Sequence, residues 1–384
     1  MIPLFKVFMN PDAKSDVGKV LDSGYIGQGP KVDEFENKLK EVFDNDFVLT
    51  TNSATSAEHL ALHLLKEPRG EWEGLKPGDE VLATPLTCTA TNFPILANSF
   101  KLKWVDVDPE TLNMDLDDLA RKITPTTKAI MLVHWAGYPV DLDKLKEIQE
   151  EAYKLYGFRP AIIEDCAHAF GSKYKGKPIG SHGNMCTFSF QAIKHLTAVD
   201  GGALVVPHEE LHTRGKLLRW YGINRESNQK DFRCESDIKE WGFKFHMNDV
   251  NATIGLSNLS VVEKEVINKH KDNAHYYNTN LQNIPGVTLL KNDKSCESAY
   301  WIYTIKVANR DSFMNFMKDK GIVVSRVHER NDLHTCVKEY SCILPNLEKV
   351  VKEMICIPGG WWVTPEDRKY IVNAIKEWSA MHAN

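Results

Sequence analysis

None of the eight cysteines in this chain stands in a C-x-x-C pair, no Lys/Arg block interrupts it, and no apolar run is long. A membrane-spanning helix needs roughly 18 apolar residues, so none is expected. The opening Met-Ile-Pro-Leu-Phe-Lys lacks the basic and apolar regions of a secretory leader, which predicts a cytoplasmic chain with reduced thiols. Cys88, Cys166, Cys186, Cys234, Cys296, Cys336, Cys342 and Cys356 are scattered, which argues against a zinc or redox centre. His134 and His168 each close an apolar run, yet no carboxylate or histidine spacing completes a metal site there. A formal net charge of −5 offers no surface to nucleic acid. The G-x-S-x-G elbow of a serine hydrolase is missing. Gly27-Gln28-Gly29 has no βαβ unit behind it, so it is not a dinucleotide fingerprint. Repeats and low-complexity linkers are also lacking.

What remains is an α/β pattern. At 384 residues the chain suits a large domain plus a smaller one. Seven short apolar runs lie between residues 47 and 206: Phe47–Thr50, Glu80–Thr84, Leu102–Val107, Ala129–Trp135, Ala161–Asp165, Met185–Phe190 and Ala203–Pro207. Continuous apolar runs of this length fit strands covered on both faces by helices. Between them, Ala57, Leu60, Ala61 and Leu64 repeat at helical spacing over Ser53 to Leu64, and Asp141 to Tyr156 is a second amphipathic segment. From about residue 258 the texture changes. Val262, Val266, Ala274, Tyr277 and Leu281 mark a long helix that could bridge two domains. A strand-like Trp301–Val307, a helix near Arg310 to Lys320 and a terminal helix opened by Thr364-Pro365 follow. The expected division is 1–257 for the large domain and 258–384 for a small α+β domain.

Three residues then stand out. Asp165 ends an apolar run, so its carboxylate should emerge at the carboxyl end of a strand, where α/β sheets bind ligands. Lys194 follows another such run among uncharged neighbours, where desolvation would lower its pKa. Ser189 lies between them in sequence. A carboxylate for a pyridinium nitrogen, a hydroxyl for a phosphate and an amine for an imine together suit pyridoxal 5'-phosphate. Each alone has a bland reading: Asp165 as a helix cap or turn, Lys194 as a loop lysine. The combination favours chemistry. Thr51-Asn-Ser-Ala-Thr-Ser56 is a strand exit entering a helix, where free amides would face an anion. Thr55 and Ser56 are the phosphate candidates, although a simple N-cap by Ser53 explains the same letters.

With these motifs in order, the sequence resembles the DegT/DnrJ/EryC1/StrS family of sugar aminotransferases almost end to end. The carriers are Ser23 to Glu36, Ser53 to Leu62 (similar to S-G-T-A-A-L-H-L-A-L), Glu164-Asp-Cys-Ala-His-Ala169, Phe188 to Gly202, and Met247 to Leu256. The resemblance implies the aspartate-aminotransferase-type fold (fold type I), with a seven-stranded mixed sheet in the large domain. It further implies a homodimer with shared active sites, a nucleotide-linked keto sugar as acceptor and L-glutamate as donor. Lys194 would be the imine lysine, Asp165 the pyridinium partner, and His168 a contact of the phenolic oxygen. Thr55, Ser56 and Ser189 would hold the phosphate.

Three positions depart from the family pattern. Ala54 replaces a glycine. Cys88 stands where an aromatic residue commonly stacks on the cofactor. Lys244-Phe-His246 replaces Asn-Tyr-Arg, whose Asn usually reaches the partner subunit's phosphate, so Lys244 could serve as a charged donor there. Lysine rather than histidine at 194 separates this chain from relatives resembling sugar 3-dehydratases. The lysine loop and Arg219-Trp-Tyr-Gly-Ile-Asn-Arg225 look most like members acting at C4 of 4-keto-6-deoxy sugars. The alternatives are a C3 aminotransferase, a pyridoxal-phosphate lyase or desulfurase, and a catalytically silent regulator or scaffold.

Overall fold

The computed structural model describes residues 1–225 and 237–382, so Cys234 lies outside the described residues. All seven apolar runs between 47 and 206 contribute to one sheet. Its order is Val48–Thr51, Gly202–Val205, Met185–Ser189, Ala161–Asp165, Thr127–Val133, Glu80–Ala83 and Lys101–Trp104. Gly202–Val205 runs antiparallel to both its neighbours, and the remaining pairs are parallel. The sheet is therefore mixed, as the family resemblance implied. Its strands are buried on both faces. One core gathers Phe35, Phe43, Ile130, Phe188 and Val205, the other Leu60, Leu64, Ile95, Trp104 and Met131. Phe43 stacks on Phe188 with ring centroids 4.0 Å apart, fastening the helix Pro30–Phe43 to the sheet.

Caps explain where the elements begin. Ser53 accepts the Ser56 amide at 3.1 Å and starts the helix Ala54–Leu64. Asp141 does the same for Leu142–Tyr156, which ends on Gly157 in the left-handed region. The helix Pro30–Phe43 is capped from a distance: Asp249 accepts the amides of Gly29, Lys31 and Val32 at 2.8, 3.2 and 3.1 Å. A Cβ on Gly29 would come within 2.9 Å of Asp249 Oδ2, so this glycine lets the carboxylate close in. The expected strand Leu102–Val107 stops at Trp104. Asp106 leaves the ladder to accept the Asn346 and Leu347 amides, both at 2.9 Å, at the start of the helix Pro345–Glu353.

The bridging helix begins earlier than its apolar pattern suggested. Asp249–Val262 runs through a π turn, Glu263–Ile267, into Asn268–Asn280, and residues 257 and 258 fall inside it. Beyond it an antiparallel sheet of Val287–Leu289, Tyr303–Val307 and Met354–Ile357 packs on the helices Arg310–Asp319 and Pro365–His382. Thr364 and Asp367 cap the last helix reciprocally, each side chain taking the other's amide at 3.1 Å. Cys296–Glu297 pairs with Lys173–Tyr174, stitching the C-terminal part to the large sheet's side of the chain. Among the described residues no helix is long and apolar enough to cross a membrane.

Candidate active site

The site lies beyond the carboxyl ends of the parallel strands, where Ala161–Asp165 and Met185–Ser189 finish side by side. Asp165 is 3% exposed and its two oxygens are occupied. Oδ2 accepts the Thr91 hydroxyl at 2.6 Å, and Oδ1 accepts the Ala167 amide at 2.9 Å. Thr91 is itself joined to Thr87 at 2.8 Å, so the Thr87-Cys88 segment braces the acid. Hydrogen bonds of this kind fix the direction of the carboxylate.

Lys194 sits on a loop tied at several points. Phe190 N donates to Gly201 O and Ala198 N to Phe190 O, both at 2.9 Å, closing the loop's neck. Asn251 Nδ2 donates to Ala198 O at 2.7 Å and Asp200 O at 2.9 Å, and Asn258 Nδ2 to Thr197 O at 2.7 Å. The helix Asp249–Val262 thus holds the lysine loop. Burial lowers the Lys194 amine to about 8, while Asp165, Cys88 and Glu58 pull it back upward. Among those three, Asp165 is the strongest charge acting on the amine. Lys194 Nζ lies 3.5 Å from the centroid of the Trp301 ring.

His168 completes this wall. It is 2% exposed, stacks on Trp301 at 4.0 Å, and has its Nε2 3.4 Å from His328 Nε2. Burial and the charge of Lys194 hold its imidazole well below the ordinary histidine range, so it is neutral at physiological pH. Its buried Nδ1 has no hydrogen-bond partner among the described residues.

The hydroxyl residues gather through one glycine. Gly202 is the register partner of both Thr51 and Ser189. A Cβ there would lie 2.5 Å from Ser53 C and Ala54 N, so only glycine lets the strand approach the start of the helix Ala54–Leu64. Ser189 is thereby placed beside the helix N-terminus carrying Thr55 and Ser56. Ser53 is indeed the N-cap, and Ser56 Oγ donates to Asn52 Oδ1 at 2.6 Å. Ala54 is an ordinary helical residue without positive φ, so its backbone does not call for the glycine it replaces.

Cys88 is exposed and begins the helix Thr89–Ala97, close enough to act electrostatically on Lys194 and Glu58. Lys244 is exposed too; its backbone carbonyl accepts Asn52 Nδ2 at 3.2 Å and its Nζ lies 4.5 Å from the Trp220 ring centroid. Trp301, His328 and Glu58 were not anticipated. The first two come from a distant part of the chain, and Glu58 hides among apolar helix positions. His134, Glu164 and Cys166 offer ligand atoms within 4.8 Å of one another. Hydrogen bonds already occupy the first two: His134 Nε2 pairs with Glu164 Oε2 at 2.7 Å, Val140 N donates to His134 Nδ1 at 3.0 Å, and Asn184 donates to Glu164 Oε1 at 2.7 Å.

An amine near neutrality beside a fixed carboxylate, an unpartnered neutral imidazole nitrogen and a helix N-terminus flanked by hydroxyls fit a phosphorylated pyridine aldehyde. Comparison with known proteins agrees. The model of the DegT/DnrJ/EryC1/StrS aminotransferase family matches residues 9–376. AtS13 from Actinomadura melliaura is 49% identical, covers 98% of each chain and superposes with a TM-score of 0.93. The sugar aminotransferase CalS13 from Micromonospora echinospora is 46% identical over 98% of this chain and 100% of its own, with a TM-score of 0.93. Spr1654 from Streptococcus pneumoniae, solved in PMP and PLP forms, is 26% identical; the PMP form covers 99% of this chain and 100% of its own, with a TM-score of 0.90.

Proposed function

This chain belongs to the DegT/DnrJ/EryC1/StrS aminotransferase family and is a pyridoxal-phosphate-dependent sugar aminotransferase, and we propose that it carries an amino group from L-glutamate to C4 of a nucleotide-linked 4-keto-6-deoxy sugar. The observation that carries the reading is the Lys194 loop leaving the strand that pairs with Ala161–Asp165, whose terminal carboxylate Thr91 braces. When bound, the cofactor supplies an electron sink for the carbanion at the amino-bearing carbon.

The chain's own residues do the rest. Asp165 would hold the ring nitrogen and favour its protonated form, since an adjacent anion raises such a pKa by roughly one to three units. Lys194 would hold the cofactor through its aldehyde carbon and, once free, its amine would serve as the base that moves a proton at the substrate carbon. Thr55, Ser56 and Ser189 would hold the phosphate with the helix amides, His168 would contact the phenolic oxygen, and Cys88 would border the ring. In a homodimer Lys244 would serve the phosphate of the other subunit, a role its exposed position supports.

The test uses glutamate first and a sugar panel second. Glutamate added to the cofactor-loaded protein should change its visible absorbance and release 2-oxoglutarate. Among dTDP-, UDP- and GDP-linked 4-keto-6-deoxy sugars, at least one should return an amino sugar whose NMR spectrum carries nitrogen at C4. Nitrogen at C3 would replace the C4 assignment with the C3 alternative. A Lys194→Ala enzyme that still turned over would overturn the role given to the amine.

A further inference from the structure

The helix Ala54–Leu64 delivers a second acid to the site. Glu58 lies one turn beyond its N-terminus and is 1% exposed, among Ala57, Leu60 and Ala61, which are wholly buried. In the similar stretch S-G-T-A-A-L-H-L-A-L this place belongs to leucine. A carboxyl buried among apolar side chains is costly unless something bonds it, and Glu58 Oε2 has no ordinary donor among the described residues. Its hydrogen-bonding contact is Asp165, another carboxyl group. Cys88 and Lys194 are the other titratable groups acting on it.

Two ionised carboxylates in contact repel, so one of them keeps a proton. Which one is decided by their other partners. Asp165 already accepts from Thr91 and Ala167. Glu58 Oε2 has no such donor among the described residues. Burial and the charge of Asp165 raise its carboxyl well above the usual carboxylate range. The proton therefore sits on Glu58.

We propose that Glu58 is a positioning residue whose carboxyl O–H bonds to Asp165 and fixes that carboxylate toward the cofactor's ring nitrogen. It acts through Asp165 and touches neither substrate nor reacting atoms. The inference rests on the reading of Asp165 as the ring-nitrogen partner.

The holoenzyme can be tested with Glu58→Gln, which keeps a donor, and Glu58→Leu, which removes it. Infrared difference spectra of the wild-type holoenzyme at pH 8 should show the C=O stretch of a protonated carboxyl, and Glu58→Gln should lack it. Glu58→Leu should lower kcat about tenfold or more with glutamate KM changed far less, as expected for losing one hydrogen bond to a charged group. Glu58→Gln should recover most of that loss. No protonated-carboxyl band at pH 8, or Glu58→Leu with wild-type kcat, would overturn the proposal. Failure of the underlying reading looks different: Asp165→Asn would leave the bound cofactor's absorbance and its pH titration unaltered while the Glu58 band persisted.

Discussion

Lys194 and Asp165 make opposite demands on water, and the structure meets both. The amine needs desolvation to lose its proton, and the carboxylate needs donors to keep its charge. With the amine at about 8, capture of pyridoxal phosphate by the apoenzyme should be slow at pH 6, rise through pH 8 and level off above it. The sign follows from the ammonium form having no lone pair for attack; stopped-flow absorbance across this range measures it. Asp165→Asn removes the anion at the ring nitrogen and should lower kcat by at least about tenfold, with the cofactor still bound, in steady-state assays. Asp165 and Lys194 were conspicuous in the sequence because the acid closes one apolar run and the lysine follows another among uncharged neighbours. Trp301 and His328 were not, because their approach to Lys194 and His168 depends on how the C-terminal part folds back. Glu58 escaped notice for another reason: one acid among helical alanines and leucines looks like a solvated position until its burial is known.

At the level of elements, periodicity located the strands well and their ends less well. Ala161–Asp165 matches its apolar run, since nothing recruits its last residue away from the ladder. Leu102–Val107 was cut short because Asp106 serves a helix more than two hundred residues later, a debt invisible in the local sequence. The proposed phosphate region depends on Gly202 in the same non-local way. Gly202→Ala should weaken cofactor binding at least about tenfold, because its Cβ collides with backbone rather than with a flexible side chain. Spectrophotometric titration with pyridoxal phosphate checks this. Asn258→Ala should destabilise the fold by roughly 1–3 kcal/mol, since it strands both the Thr197 carbonyl and the Asn10 amide. Urea unfolding gives the magnitude, and faster hydrogen exchange at residues 190–201 would locate it.

For the whole molecule, the proposed homodimer makes a strong prediction. If Lys244 serves the other subunit's phosphate, a Lys194→Ala/Lys244→Ala heterodimer has one doubly defective site and one intact site. Mixing and refolding the two single variants should therefore restore activity to about a quarter of wild-type, with each variant alone far below that. Activity assays after co-refolding read this directly, and additive behaviour without recovery would place Lys244 at its own subunit's site.

The indole of Trp301 donates to the Ile193 carbonyl at 2.9 Å, one residue before the amine. Its backbone is also bonded to Ala136, so the ring is anchored to the large sheet as well as to the C-terminal part. Any displacement of Trp301 relative to the sheet would consequently act on the peptide that carries Lys194.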